Sequence, residues 1–274
     1  MKFFVRKLIK YLLIPFGLFY NIFNKQENKI VILMYHRVND SINKELSVQK
    51  DNFIWQMNYL KKSKFNVISI DDAVHMIKSK NINGKYVVLT FDDGYEDFYY
   101  NAYPVLTKHC FPATIYLVPG FIEMHKTFWW DEDIGVSELM NWSQIYELCK
   151  NDLITIGSHT LTHLNLENKK DEGEIKYELE MSKLLLENGL KKSINHFCYP
   201  QGGFSKDAEK VAKEIYQTGV LIFNGEAITN SFDSNFLYRL KRIPVQNSDG
   251  KFLFISRLKG FLIIEELIRK LIRK

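Results

Sequence analysis

Short apolar runs alternate along the chain with stretches in which apolar residues return every three or four positions. The runs 29–35 (KIVILMY), 86–91 (YVVLTF), 113–118 (ATIYLV), 154–158 (ITIGS) and 195–199 (NHFCY) are short and mostly apolar, which predicts buried strands. A helical period marks 50–62, 69–79, 100–109, 141–149, 173–188 and 206–217 and predicts helices there. Strands and helices in this order build an α/β fold, a parallel sheet or barrel wrapped by helices. Nothing repeats at a fixed period and no Pro/Gly/Ser-rich linker interrupts the pattern, so one domain is expected over 30–250.

Two end segments depart from that pattern. Residues 11–23 run without a charge, preceded by Lys2, Arg6, Lys7 and Lys10 and followed by Lys25. A membrane span needs about 20 apolar residues, and shorter runs lie at interfaces. Because no small-x-small cleavage pattern follows, 1–29 is read as an uncleaved, membrane-associating segment. In 251–274, Ile264, Leu267, Ile268, Leu271 and Ile272 form one helical stripe. Glu265, Glu266, Arg269, Lys270, Arg273 and Lys274 face away, with Glu265–Arg269 and Glu266–Lys270 at i,i+4 spacing. This basic amphipathic helix fits either packing on the domain or lying on anionic lipid. A second cationic, apolar segment at the other end favours the membrane surface for both.

Charge sharpens the division. The 274 residues carry 37 Lys+Arg against 32 Asp+Glu, a formal +5. Residues 1–29 hold six cations against Glu27, and 251–274 hold seven against Glu265 and Glu266, a net +5 for each end. The remaining 24 cations and 29 anions leave 30–250 at −5. An acidic body lacks the cationic face that phosphate binding needs, so no nucleic-acid partner is expected. Cys110, Cys149 and Cys198 have no metal-ribbon or redox spacing and are read as buried free thiols. Free thiols favour a reducing compartment, hence the cytoplasmic face of a membrane. An anchor presenting the domain outside the cytoplasm is the alternative.

In parallel α/β folds chemistry gathers at the carboxyl ends of strands, and polar residues cluster there in this chain. His36 follows the first run, Asp92-Asp93-Gly94 the second, His159 a later one and Pro200-Gln201-Gly202 another. Two adjacent carboxylates beside a buried strand call for a cation; a solvated Asp-Asp-Gly turn is the plainer reading. His159 and His163, four apart, would share a face of one helical turn, a spacing that suits two imidazoles on one metal. With one Asp they make a two-His, one-carboxylate site. Zn2+ is the ion this donor set suits first, with Co2+, Ni2+ or Mn2+ able to serve.

Three runs, TFDDGYEDF (90–98), IGSHTLTHLNL (156–166) and FCYPQGGFS (197–205), resemble the first three motifs of the polysaccharide deacetylases, the NodB-homology domain of carbohydrate esterase family 4. The resemblance extends to ILMYHRV (32–38), PATIYLVPGFI (112–122), Trp129-Trp130-Asp131 and RLKRIPV (239–245), and covers roughly 30–248. It implies a distorted (β/α) barrel, to which the two end segments add amphipathic helical extensions. One divalent metal would be held by Asp93, His159 and His163, with Asp92 as general base. The reaction implied is removal of N-acetyl groups from N-acetylhexosamine units of a glycan; on the cytoplasmic face of a membrane that glycan would be a lipid-linked precursor. A backbone N–H of the Tyr199–Gly202 turn, that of Gln201 first, would hold the oxyanion, and Tyr199 and Pro200 would touch substrate.

Two departures from the family pattern matter. Where many members carry Arg in the third motif, Cys198 stands here, so an Arg from RLKRIPV, Arg242 before Arg239, is expected to pair with Asp92; both arginines on the surface of a strand is the plainer reading. No His follows His196 to serve as the family's general acid, so His36 is the candidate donor; the alternative is a core histidine bonded to a backbone carbonyl. Trp129 and Trp130 would stack on sugar rings, or one would simply pack in the core. Two other functions stay open: an O-acetyl esterase on an acetylated polysaccharide, and a catalytically weak glycan-binding protein that keeps the fold.

Overall fold

The computed structural model describes residues 2–23, 26–134, 138–169, 171–222, 227–263 and 265. In chain order, helix α1 (Lys2–Phe23) precedes strand β1 (Lys29–Tyr35) and a two-residue pairing of β2 (Arg37–Val38) with β3 (Ser47–Val48). Then come α2 (Lys50–Lys62), β4 (Phe65–Val67), α3 (Ile70–Ser79), β5 (Lys85–Phe91), α4 (Tyr103–His109), β6 (Ala113–Leu117), α5 (Pro119–Glu123), α6 (Trp142–Cys149) and β7 (Ile154–Ser158). The chain closes with α7 (Glu172–Leu190), β8 (His196–Cys198), α8 (Lys206–Ile215), β9 (Thr218–Ile222), β10 (Leu240–Pro244) and α9 (Gly250–Lys259).

Among the described residues, seven parallel strands close a barrel in the order β1-β10-β9-β8-β7-β6-β5, sealed by full-length pairing of β1 with β5. β4 pairs only with the first half of β5, on the flank that β6 takes over further along. Every residue of β1 is buried because strands flank it on both sides and helices cover the outside. Side-chain alternation then sorts two cores. Ile30, Ile32, Val88, Tyr116, Cys198 and Val220 point into the barrel, whose amino end is plugged by Ile70, Val74 and Ile77 of α3. Val31, Leu33, Leu89, Ile115, Ile156 and Phe197 point outward under the helices.

The helices begin where local chemistry satisfies their first N–H groups. Ser69 with Asp72 and Asn141 with Gln144 form reciprocal capping boxes, and Ser205 caps α8. The five predicted strands and six predicted helices all form. The segment expected as one helix over 100–109 instead enters through a wide π-type turn at Phe98–Ala102 before α4. β4, β9 and β10 escape the apolar pattern: β4 is three residues long, β9 opens on Thr218-Gly219 directly after the helix predicted to 217, and LKRIP of β10 carries two cations and a proline.

The ends are more closely joined to the body than their charge suggested. α1 turns Lys10, Ile14, Gly17 and Asn21 inward against α9 and the turn that follows it. α9 buries Leu253, Phe254 and Leu258, and Gly260 ends it in the left-handed conformation. The predicted C-terminal stripe, Ile264 to Ile272, the Glu266–Lys270 pair and Arg269 all lie outside the described residues. Glu265 is described and meets Arg257 at 3.4 Å. The expectation of three buried thiols is corrected: Cys149 and Cys198 are buried, but Cys110 is exposed, at the left-handed residue that ends α4.

Candidate active site

The barrel register brings the polar strand ends together. Tyr35 lies beside Phe91, so His36 and Asp92 emerge next to each other, and Leu117–Ser158 pairing delivers His159. The ladder runs on into the site: Asp92 N–H donates to the Tyr35 carbonyl and His159 N–H to the Leu117 carbonyl. Alternation turns His36, Asp92, Cys198 and Arg242 inward.

Arg242, fully buried, grips Asp92 with two parallel bonds, Nη1 to Oδ1 at 2.6 Å and Nη2 to Oδ2 at 2.7 Å. Its Nη1 also reaches Thr90 Oγ1 and its Nη2 lies 3.0 Å from Cys198 Sγ. The expected compensation is therefore present: a guanidinium from β10 occupies the space beside Cys198. Arg239, the second choice, instead bonds Glu209 on the outer surface. Burial opposes ionisation of Asp92, but the charge and bonds of Arg242 outweigh it and hold the carboxyl well below the usual range. For the neighbouring Asp93 the balance is opposite: burial, then the charge of Asp92, raise its pKa.

Asp93, His159 and His163 are buried and offer donor atoms all within 4.8 Å of one another. Asp93 Oδ1 lies 3.6 Å from His159 Nε2 and 3.5 Å from His163 Nε2. His159 Nδ1 is bonded to the Cys198 carbonyl at 2.9 Å; that bond takes the Nδ1 proton and leaves the Nε2 lone pair free toward Asp93. Burial lowers the pKa of both imidazoles, favouring the neutral form a cation requires. These residues fit a divalent ion. Asp92, His159 and Cys198 are equally close, but both oxygens of Asp92 are taken by Arg242, and a cation there would face the guanidinium.

One local expectation is corrected. His159 and His163 do not sit on a helical turn; 159–163 is a loop in which Thr160 and His163 both take positive φ of 59°. The loop is tied by Glu178 of α7, which accepts from the Thr162 N–H at 2.9 Å and its hydroxyl at 2.7 Å. Asp93 (φ 75°) and Gln201 (φ 55°) complete a set of four non-glycine residues with left-handed backbone around one site. Such concentrated strain is a mark of functional geometry.

An open cleft lies over these groups. His36, Asp92, Asp93, His159, His163 and Gln201 line its floor, 44–47 form one wall, and Tyr95, Trp130 and Asp131 form another. His36 Nε2 is 4.0 Å from Asp93 Oδ2, and its Nδ1 is buried without a partner among the described residues; it is not bonded to a backbone carbonyl. Burial lowers its pKa to about 4. Trp130 stacks on Phe128 and sets its edge against His163, while Trp129 is 71% exposed and stands outside the cleft lining. Tyr199 and Pro200 are not brought to the cleft either. Alternation turns the Tyr199 ring outward, fully buried against Phe197 and Phe204.

Arg37, Tyr95, Asp131 and Glu178 were missed as site residues. Arg37 bonds Asp131 at 2.9 Å, lies over the Tyr95 ring at 3.5 Å, and Tyr95 OH donates to Asp131 at 2.6 Å. Arg37, Tyr95 and Asp131 sit inside or beside runs that were recognised, but no sequence spacing pairs residues 94 positions apart. Glu178 looks like any charge on a helix.

Known proteins share this sequence pattern and fold. Residues 79–220 match the family model of the polysaccharide deacetylases. The chain is 32% identical over 219 residues to YxkH of Bacillus subtilis, which bears the polysaccharide deacetylase name, covering 79% of this chain and 71% of that one. It is 27% identical over 258 residues to the poly-beta-1,6-N-acetyl-D-glucosamine N-deacetylase of Staphylococcus aureus, covering 86% and 85% of the two chains. The Streptococcus pyogenes deacetylase PplD, solved in complex with acetate, superposes with a TM-score of 0.72 at 25% identity, over 85% of this chain and 99% of that one. With its closed (β/α) barrel and its strand-end Asp, His and Arg residues, this chain belongs to the polysaccharide deacetylase family of hydrolases.

Proposed function

We propose that this protein removes N-acetyl groups from N-acetylhexosamine units of a glycan by metal-assisted hydrolysis. The observation that carries the reading is the Asp93, His159, His163 donor set beside the Arg242-held Asp92 at the floor of an open cleft. The relative that acts on poly-N-acetylglucosamine supports the amide rather than the ester. A divalent ion held by Asp93, His159 and His163, Zn2+ first among candidates, supplies Lewis acidity at the acetyl carbonyl and lowers the pKa of water.

The chain's own residues do the rest. Asp92 accepts the proton that water loses on attacking the acetyl carbon, and Arg242 keeps the carboxylate aimed and ionised between turnovers. The Gln201 N–H, on a positive-φ turn at the cleft floor, stabilises the oxyanion. As the C–N bond breaks, His36, neutral at rest, relays to the sugar nitrogen the proton that water lost to Asp92, so that acetate and a free amine leave and the carboxylate is restored. Trp130 offers an apolar wall to the sugar. Acetate release from N-acetylglucosamine oligomers and from acetyl-xylan, with and without chelator, tests the reading. Chelator-sensitive release from the oligomers is expected; release from acetyl-xylan alone would make the protein an O-acetyl esterase. Unchanged release by Asp92→Asn would remove the mechanism.

The same proposal includes a membrane surface. No helix among the described residues is long and apolar enough to cross a membrane. α1 exposes Val5, Leu8, Leu12, Phe16, Phe19 and Phe23 on its outward side, which supports lying in the lipid interface. The exposed thiol of Cys110 supports the cytoplasmic side. A membrane-impermeant maleimide applied to intact cells should leave Cys110 unlabelled; labelling would place the domain outside.

A further inference from the structure

The deepest charge on α1 connects to the substrate cleft. Lys10 is 3% exposed and uses its three donors on Gln246 Oε1, Ser248 Oγ and Asp249 Oδ1, each at 2.7 Å. The Ser248 hydroxyl in turn donates to Glu45 Oε1 at 2.5 Å, and Lys10 itself lies 3.6 Å from that oxygen. Glu45 belongs to the 44–47 wall of the cleft. The wall is also held through its backbone, the Asn247 N–H donating to the Glu45 carbonyl at 2.8 Å. From the wall, Lys44 reaches across to Asp131 at 3.3 Å and to the Trp130 carbonyl. A continuous set of polar contacts therefore runs from the N-terminal helix to both sides of the cleft mouth.

α1 is seated firmly enough to hold such a contact. A Cβ on Gly17 would lie 1.9 Å from the Phe261 carbonyl oxygen, so the helix backbone is packed directly on the turn after α9. Asn21 bonds the Gly260 carbonyl at 3.0 Å, and Tyr11 stacks on Phe252 at 5.7 Å. Membrane attachment alone requires none of this: a tether needs an outward face, not a buried ammonium with four polar neighbours from the catalytic body.

We propose that Lys10 is a positioning residue for glycan binding. It fixes Glu45 through Ser248 and so holds the 44–47 wall against which substrate sits. The inference rests on the deacetylase reading for its substrate, but its structural readout does not. In the full-length chain, Lys10→Met should raise KM for N-acetylglucosamine oligomers about tenfold while kcat falls by less than about threefold. Amide exchange at Ser47 and Asn247 should quicken in the same variant. Ser248→Ala, which removes one hydroxyl, should shift KM and exchange in the same direction and serves if Lys10→Met does not fold. Ile14→Ala loosens α1 against Leu253 and Leu262 without touching Glu45; it should lower Tm and leave KM unchanged. Equal KM in wild type and Ser248→Ala, or a KM rise in Ile14→Ala as large as in Lys10→Met, would overturn the role. If wild type releases no acetate, the deacetylase reading fails, and exchange at Ser47 and Asn247 alone decides the role of Lys10, unchanged protection overturning it.

Discussion

Arg242 and Asp92 stand 150 residues apart in the chain and face each other inside the barrel as a two-pronged ion pair, with N···O distances of 2.6 and 2.7 Å. A guanidinium that delivers two parallel bonds fixes both the charge and the plane of the carboxylate. A lysine at 242 would keep the charge and lose the plane. Arg242→Lys should therefore lower kcat on the order of 10²-fold with metal content unchanged, an effect in the range of general-base contributions. Acetate release by the metal-loaded variant, beside its metal content, checks this; a kcat within a factor of about two of wild type would show that Arg242 is structural filler.

Glu178 holds the loop that carries His163 by two bonds to Thr162. Partners of this kind orient ligands without touching the metal. Glu178→Ala is expected to weaken metal binding about 10–100-fold, read by competition with a chromogenic chelator. His163→Ala should abolish stoichiometric binding outright. Equal affinity in wild type and Glu178→Ala would mean that the strained loop holds its shape alone.

Gly17 tests how α1 is joined to the body. Any side chain there drives a carbon into the Phe261 carbonyl, 1.9 Å away. Gly17→Ala should destabilise the chain by about 1–3 kcal/mol despite the better helix propensity of Ala. A thermal melt showing unchanged or raised Tm would mean that α1 is not seated on the turn after α9.

Asp249 makes stability depend on pH. It is fully buried, which alone would raise its pKa, but Arg257 and Lys10 outweigh burial and lower it. A carboxyl depressed in the folded state stabilises fully above its unfolded value, near 3.8, and loses that contribution as pH falls through the lower folded value. Asp249→Asn leaves two buried cations poorly compensated and should cost about 3–5 kcal/mol at neutral pH. The gap between the urea midpoints of wild type and Asp249→Asn should narrow as pH falls below about 3.8. A gap that stays constant from neutral to acid would separate the pair from stability.

Much of the site was legible before any geometry. Asp92, Asp93, His159, His163 and His36 follow apolar runs, and in a parallel barrel the residues after the strands share one mouth. That reasoning needs only local pattern and the direction of the strands. Arg242 was legible as a substitute because Cys198 left Asp92 without its usual partner. Tyr199 was misplaced because a motif names neighbours in sequence, whereas the pleat sends Cys198 inward and Tyr199 outward. The helical turn expected for His159–His163 failed for a related reason: i,i+4 spacing is consistent with a helix but does not require one, and Glu178 stabilises another path.

Apolar runs matched to strands and a period matched to helices carried the alternating α/β order, sheet or barrel, together with the donor types at the strand ends; closure into a barrel was legible only through the family motifs. Those properties are local, written in consecutive residues. Beyond the Arg242–Asp92 pair, which charges are partners came only with the folded arrangement. The net charge of 1–29 counted Lys10 among the outward cations, yet folding places it beside Gln246, Ser248 and Asp249, some 236 to 239 positions away. Arg37 with Asp131 and Glu178 with Thr162 are pairs of the same sort. A buried charge is tolerable only where an opposite group or a set of hydrogen bonds meets it, and that meeting depends on how distant segments are brought together in space.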